Sequence, residues 1–118
     1  MNQNQGSEKQ AKRIYIASPY AGDITGNTQF AIACCRYAIG QGHTPIAPHL
    51  LYPQMLDDDI PEERALALKL GRHLLTACDE VWVCGDRISC GMAGEIEHAH
   101  AHGVLVRYMK EIEGGGTC

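Results

Sequence analysis

The sequence predicts an α/β fold, a parallel sheet with helices packed on both of its faces. Two observations carry this. Short β-branched or apolar runs alternate with stretches of helical period, in the order β-α-β-α-β-α-β. The run DEVWVCG (79–85) is almost continuously apolar, as a strand covered on both faces should be, rather than alternating like a half-exposed one.

Each element follows from its residues. RIYIAS (13–18) is β-branched and aromatic and reads as the first strand. After the loop PYAGDITGN, a helix is expected from about Thr28 to Ile39, with Phe30, Ala31, Cys34 and Ala38 on its buried face and GQGH as its stop. TPIAP (44–48) is a short second strand bounded by its prolines, and HLLYPQMLDDD is a long loop. DIPE (59–62) has the spacing of a capping box and opens a second helix, running to about Ala77. That helix carries two apolar stripes, one of Leu66, Leu70 and Leu74, the other of Leu68, Gly71, Leu75 and Cys78. Two stripes are more than one sheet face can cover, so a subunit interface is expected there. DEVWVCG is the third strand, a third helix starts near Gly91, and VLVRYM (104–109) is the fourth strand.

A chain of 118 residues suffices for one compact domain. Residues 13–109 are expected to form it, with 1–12 as a disordered polar arm and 110–118 as a flexible tail. A net charge of −4 and a pI near 5.8 argue against a nucleic-acid partner, which needs a basic face. No run approaches the roughly 18 apolar residues of a membrane span, and MNQNQGSEKQAKR has no apolar core of a secretory signal. A cytoplasmic protein is expected. The six cysteines include no CxxC pair, and Cys34, Cys35, Cys78 and Cys84 fall in apolar segments, where they behave as small hydrophobes.

The element order implies a flavodoxin-like three-layer sandwich with a sheet of four or five strands, ordered 2-1-3-4. Ligands in such sheets bind beyond the carboxyl ends of the strands, where the winding reverses, here between strands one and three. The loops SPYAGD and GDRISCGM converge there, and the loop opening at His49 lies alongside.

In these loops Ser89, Cys90 and Gly91 precede the third helix, whose first N–H groups suit an anion such as a phosphate, although Ser89 serves equally well as a plain N-cap. Glu95 falls at the edge of that helix's inward stripe, half-buried, with the helix N-terminus favouring its ionised form. Such a carboxylate can attack an anomeric carbon, and it can equally be a solvent-facing first-turn residue that complements the helix dipole. His98 and His102 share a face while His100 points away, so at most two of them can share an ion, and a solvated histidine face is the plainer account. Tyr20 offers an aromatic wall for a flat base, or is an exposed loop residue; Asp23 and Asn27 follow it. Asp57–Asp59 read as a solvated loop and cap, and Arg64 and Arg87 as phosphate partners or surface charges.

IYIASPYAG, GHTPIAPHLLYP, CDEVWVCG and ISCGMAGEIEHAHAHG together resemble the nucleoside 2-deoxyribosyltransferase-like superfamily, in particular its small bacterial and phage branch related to the 2'-deoxynucleoside 5'-monophosphate N-hydrolases. The resemblance spans about residues 13–109, and Ser89, Gly91, Met92 and Glu95 are its most specific part. It implies that Glu95 is the nucleophile at C1' and that Tyr15 holds it. It implies further that Ser89 binds the 5' end of the sugar or its phosphate, and that Ser18, Pro19 and Tyr20 lie beside base and sugar. Asn27, His49, Gly91 and Met92 complete the expected substrate shell. The implied function is cleavage or transfer at the N-glycosidic bond of a (deoxy)nucleoside or its 5'-monophosphate, without metal or organic cofactor, in a homo-oligomer. One departure stands out. Family members carry an aspartate on the second helix that assists departure of the base, whereas ALALKLGRHLL has no acid between Arg64 and Asp79. Asp86, one of Asp57–Asp59 or an acid from a neighbouring subunit is the expected substitute; a non-catalytic nucleotide-binding module is the alternative.

Overall fold

The computed structural model describes residues 11–110, so most of the expected arm and nearly all of the expected tail lie outside the described residues. Strands β1 (Arg13–Ala17), β2 (Thr44–Ile46), β3 (Glu80–Cys84) and β4 (Leu105–Met109) alternate with helices α1 (Ile24–Gly40), α2 (Pro61–Thr76) and α3 (Cys90–Ala101). The strands form one four-stranded parallel sheet in the order β2-β1-β3-β4. Tyr15 at the centre pairs with Ile46 on one side and Val81 on the other.

Strand alternation divides the core between the two faces. Ile14, Ile16, Trp82 and Cys84 pack with Phe30, Cys34 and Ala38 of α1. Tyr15, Ala17, Val81 and Val83 face the other way and pack with Leu75 of α2 and with Met92 and Ala99 of α3. This is the period of two expected of strands buried on both faces. All four residues of the stripe expected on α1 are buried, and Asn27 joins them.

At three places the chain departs from the sequence reading by more than a residue at an element's end, each for a local reason. Helix α1 begins about a turn earlier, because Asp23 caps it by accepting from the Gly26 N–H at 3.1 Å. Strand β2 ends at Ile46, and Pro48, which has no N–H for a ladder, opens a 3₁₀ turn (Pro48–Leu50); a second turn spans Tyr52–Gln54 within the expected loop. The Asp59–Glu62 capping box does not form. Ile60 is the N-cap, Pro61 takes the first helical position, and Glu63 instead accepts from the Asp57 N–H at 2.6 Å.

At the amino ends of the strands the buried Glu80 is held by Lys12 Nζ at 2.8 Å and Trp82 Nε1 at 2.9 Å. Burial pushes this carboxyl up, but the two hydrogen bonds and the charges of Lys12 and Arg107 together outweigh it, and its pKa lies below the ordinary value. The opposite, carboxyl ends of β1 and β3 carry the cavity described next. Among the described residues no helix is long and apolar enough to cross a membrane.

Candidate active site

A cavity of about 290 Å³ opens beyond the carboxyl end of β1, walled by the loop after β1, the 3₁₀ segment, one face of α2 and the start of α3. The sheet order places its winding reversal between β1 and β3, so the cavity lies where the topology directs a ligand.

Its floor is a contact between strand and helix. Tyr15, buried on β1, donates its hydroxyl to Glu95 Oε2 at 2.6 Å. The other oxygen, Oε1, is buried and has no hydrogen-bond partner among the described residues. Burial pushes the Glu95 carboxyl up to about 7, against the opposing effects of the Tyr15 hydrogen bond and the Arg72 charge. The expectation that the helix N-terminus keeps Glu95 ionised is therefore corrected: desolvation dominates, and near neutral pH both protonation states are populated. Tyr15 is shifted strongly upward, first by burial and then by its carboxylate neighbour, so it remains a proton donor at every working pH.

Helix α3 starts where it does because Ser89 caps it, its Oγ accepting from the Met92 N–H at 3.2 Å. The N-cap reading of Ser89 thus holds, and Ser89, Gly91 and Met92 all line the cavity together with Cys90. Ordinary helix geometry leaves the first N–H groups of α3 without intrahelical partners. Across the cavity the Tyr20 and His49 rings stack with centroids 5.2 Å apart and planes 22° from parallel. Burial lowers the His49 pKa and so favours a neutral imidazole, an effect partly offset by a hydrogen bond to the Ser18 backbone and by the Asp58 charge.

The remaining expected residues do not line the cavity. Ser18 and Pro19 are buried. Asn27 is buried behind the loop, its amide donating to the carbonyls of Tyr20 (3.0 Å) and Ala21 (3.1 Å), so it shapes the wall from behind. Asp86, the first candidate for the missing acid, is exposed and outside the cavity; Gly85, with φ +93°, turns the chain away after β3.

The sequence reading missed the α2 wall. Glu63, Ala67 and Gly71, spaced by four, line the cavity along one helix face, with Arg64 and Leu68 beside them. The i, i+4, i+8 spacing of one acid and two small residues was the available signal. A Cβ built on Gly71 would stand 3.5 Å from the Tyr15 hydroxyl, so the small residue leaves the cavity open above the Tyr15–Glu95 pair. Asp58 also lines the cavity and pairs with Arg64 at 3.4 Å. The rings of His98 and His102, at the end of α3 and outside the cavity, lie with centroids 4.1 Å apart and planes tilted by 36°. No group of three or more His, Cys, Asp or Glu side chains is arranged to hold a metal among the described residues.

Compared with known structures, the chain is similar to a 2-deoxyribosyltransferase from the psychrotolerant bacterium Bacillus psychrosaccharolyticus, a protein described as a biocatalyst for the synthesis of antiviral and antitumoral nucleosides. The superposition has a TM-score of 0.66 at 20% sequence identity and covers 81% of this chain and 70% of the other. At that identity the likeness shows a shared fold. Among curated proteins none matches the sequence significantly. Residues 12–109 match the family model described as "Domain of unknown function (DUF7768)", and the chain belongs to that family.

Proposed function

We propose that the cavity is the active site for cleavage or transfer at the N-glycosidic bond of a (deoxy)nucleoside or its 5'-monophosphate, with Glu95 as nucleophile. The observation that carries this reading is the Tyr15–Glu95 contact: one carboxylate oxygen is held at 2.6 Å while the other is buried and unpaired in the cavity wall. A fixed carboxylate with one free oxygen suits in-line attack on C1', where charge develops that it can stabilise. The C1'–N bond breaks as the new C1'–O bond forms, and the departing base takes a proton. Water or a second base then releases the sugar from Glu95. A cavity acid able to supply that proton is Asp58, since the α2 face nearer Glu95 is Ala67 and Gly71. The free N–H groups at the start of α3 suit the 5' end of the sugar or its phosphate. The fold shared with a deoxyribosyltransferase supports the reading at the level of architecture. The exposed Leu66 on α2 supports self-association, which analytical ultracentrifugation tests directly.

Incubation with deoxynucleosides and their 5'-monophosphates, followed by chromatography, is expected to show free base. Glu95→Ala is expected to lower its release by about a thousandfold or more. Absence of base, or full activity in E95A, rejects the mechanism.

One observation favours a second reading. The α2 face carries no acid between Arg64 and Asp79, which fits a module that binds a nucleotide without turning it over. That reading expects ligand-induced thermal stabilisation with the ligand recovered intact.

A further inference from the structure

We infer that Glu63 reads the amino edge of the base, so that the cavity selects nucleosides of amino-bearing bases over their oxo counterparts. The inference rests on the nucleoside reading above, which puts the sugar at Glu95. It begins with the α2 face. Glu63, Ala67 and Gly71 line the cavity in a single row. Gly71 marks the reacting end, because its missing side chain faces the hydroxyl that holds Glu95. Glu63 lies two turns towards the helix start, about 12 Å along the axis. A nucleoside whose C1' meets Glu95 and whose base extends along this row brings the far edge of that base to Glu63.

Glu63 is equipped for that edge. Its Oε1 accepts from the Asp57 backbone N–H at 2.6 Å, which orients the carboxylate, and its Oε2 has no partner among the described residues. The neighbouring cation does not neutralise it, since Arg64 is engaged by Asp58 at 3.4 Å. Asp57, Asp58 and Asp59 line an adjoining cavity with Glu63 and add to the negative potential. An ionised carboxylate only accepts hydrogen bonds. The exocyclic amines of adenine and cytosine donate to it, whereas the carbonyls of hypoxanthine and uracil at the same positions present oxygen to oxygen. A site with a buried or half-buried acceptor rejects the analogue that cannot satisfy it.

Isothermal titration of the full chain with matched pairs tests this, with chromatography of each mixture recording any base released. The pairs are deoxycytidine against deoxyuridine and deoxyadenosine against deoxyinosine. The amino member of each pair is expected to bind about tenfold more tightly, and Glu63→Gln, whose amide both donates and accepts, to erase the difference. Equal affinities within both pairs in the unaltered protein, or a preference that survives in E63Q, overturn the inference while leaving the nucleoside reading intact. Failure of all four nucleosides, and of their 5'-monophosphates, to bind or release base defeats the nucleoside reading itself. Should E63Q not fold by circular dichroism, Glu63→Asp, which keeps the charge on a shorter arm, is expected to narrow the preference, and an unchanged preference there overturns the inference.

Discussion

The hydroxyl of Tyr15 and the carboxylate of Glu95 lie 80 positions apart in sequence and meet at 2.6 Å. One comes from the central strand and the other from the second turn of α3, so the contact ties the sheet to the helix that covers it. It also sets the chemistry of the cavity. The phenol keeps its proton and serves as a fixed donor, while the carboxyl, pushed up to about 7, changes charge within the neutral range.

Tyr15→Phe removes this donor with little change of volume. The hydrogen bond lowers the Glu95 pKa, so its loss raises that pKa further. In the proposed mechanism attack requires the ionised form, so the rising limb of the pH–rate profile, expected near 7 in the unaltered protein, should move to higher pH. Base release at pH 7 is expected to fall by about tenfold and to recover partly in more alkaline buffer. A limb that stays in place would show that Tyr15 does not govern the carboxylate.

Glu95→Gln tests the same burial through stability. A carboxyl whose folded-state pKa lies above its unfolded value of 4.5 is favoured by folding only while protonated. The stability this provides is complete below about 4.5 and is lost as pH rises through about 7. The neutral amide escapes that loss. E95Q should therefore melt higher than the unaltered protein at pH 8, by a stability difference on the order of 2 kcal/mol, and approach it near pH 4.5. Thermal melts across this range check the sign.

Asn27→Ala probes the wall behind Tyr20. The buried amide serves two loop carbonyls, of Tyr20 and Ala21, and its removal leaves both without that donor. A stability loss of about 1–3 kcal/mol is expected, together with weaker nucleoside binding as the Tyr20–His49 stack loosens. Denaturant titration and ligand titration measure the two effects separately.

Gly85→Ala addresses the turn after β3. Gly85 has φ +93°, and a Cβ there would stand 3.2 Å from Phe30 Cε2 in the core. Backbone strain and the ring contact act together, and a loss of about 1–3 kcal/mol is expected in denaturant melts. Gly71→Ala is the contrasting case: its Cβ would meet the Tyr15 hydroxyl at an ordinary 3.5 Å, so the change is expected to keep or raise stability by up to about 1 kcal/mol through helix propensity.

Much of the fold was legible because its signals are local and periodic. Phe30, Ala31, Cys34 and Ala38 recur at helical spacing and are buried together. The β-α alternation alone led to the strand order 2-1-3-4. The segment from Pro48 to Ile60 was not legible, since its two 3₁₀ turns have no period long enough to detect. Within the site, Ser89 could be read as a cap because a hydroxyl before a helix bonds only to its own first turn. Glu63 was not legible because an acid in a helix's first turn ordinarily complements the dipole, and only the packing of α2 brings it to the cavity.

By itself the sequence determined the order of the elements, the faces they bury and the end of the sheet where the cavity opens, because periodicity and chain handedness are properties of neighbouring residues. The tertiary structure decided which side chains share the cavity and in what state. Asp86 leaves it through the turn at Gly85, while Glu63 enters it through the packing of α2 beside the cavity. The charge of Glu95 depends on how much water reaches it and on a hydroxyl from a distant strand. Desolvation is a sum over everything that surrounds an atom in space, and no window of sequence contains that sum.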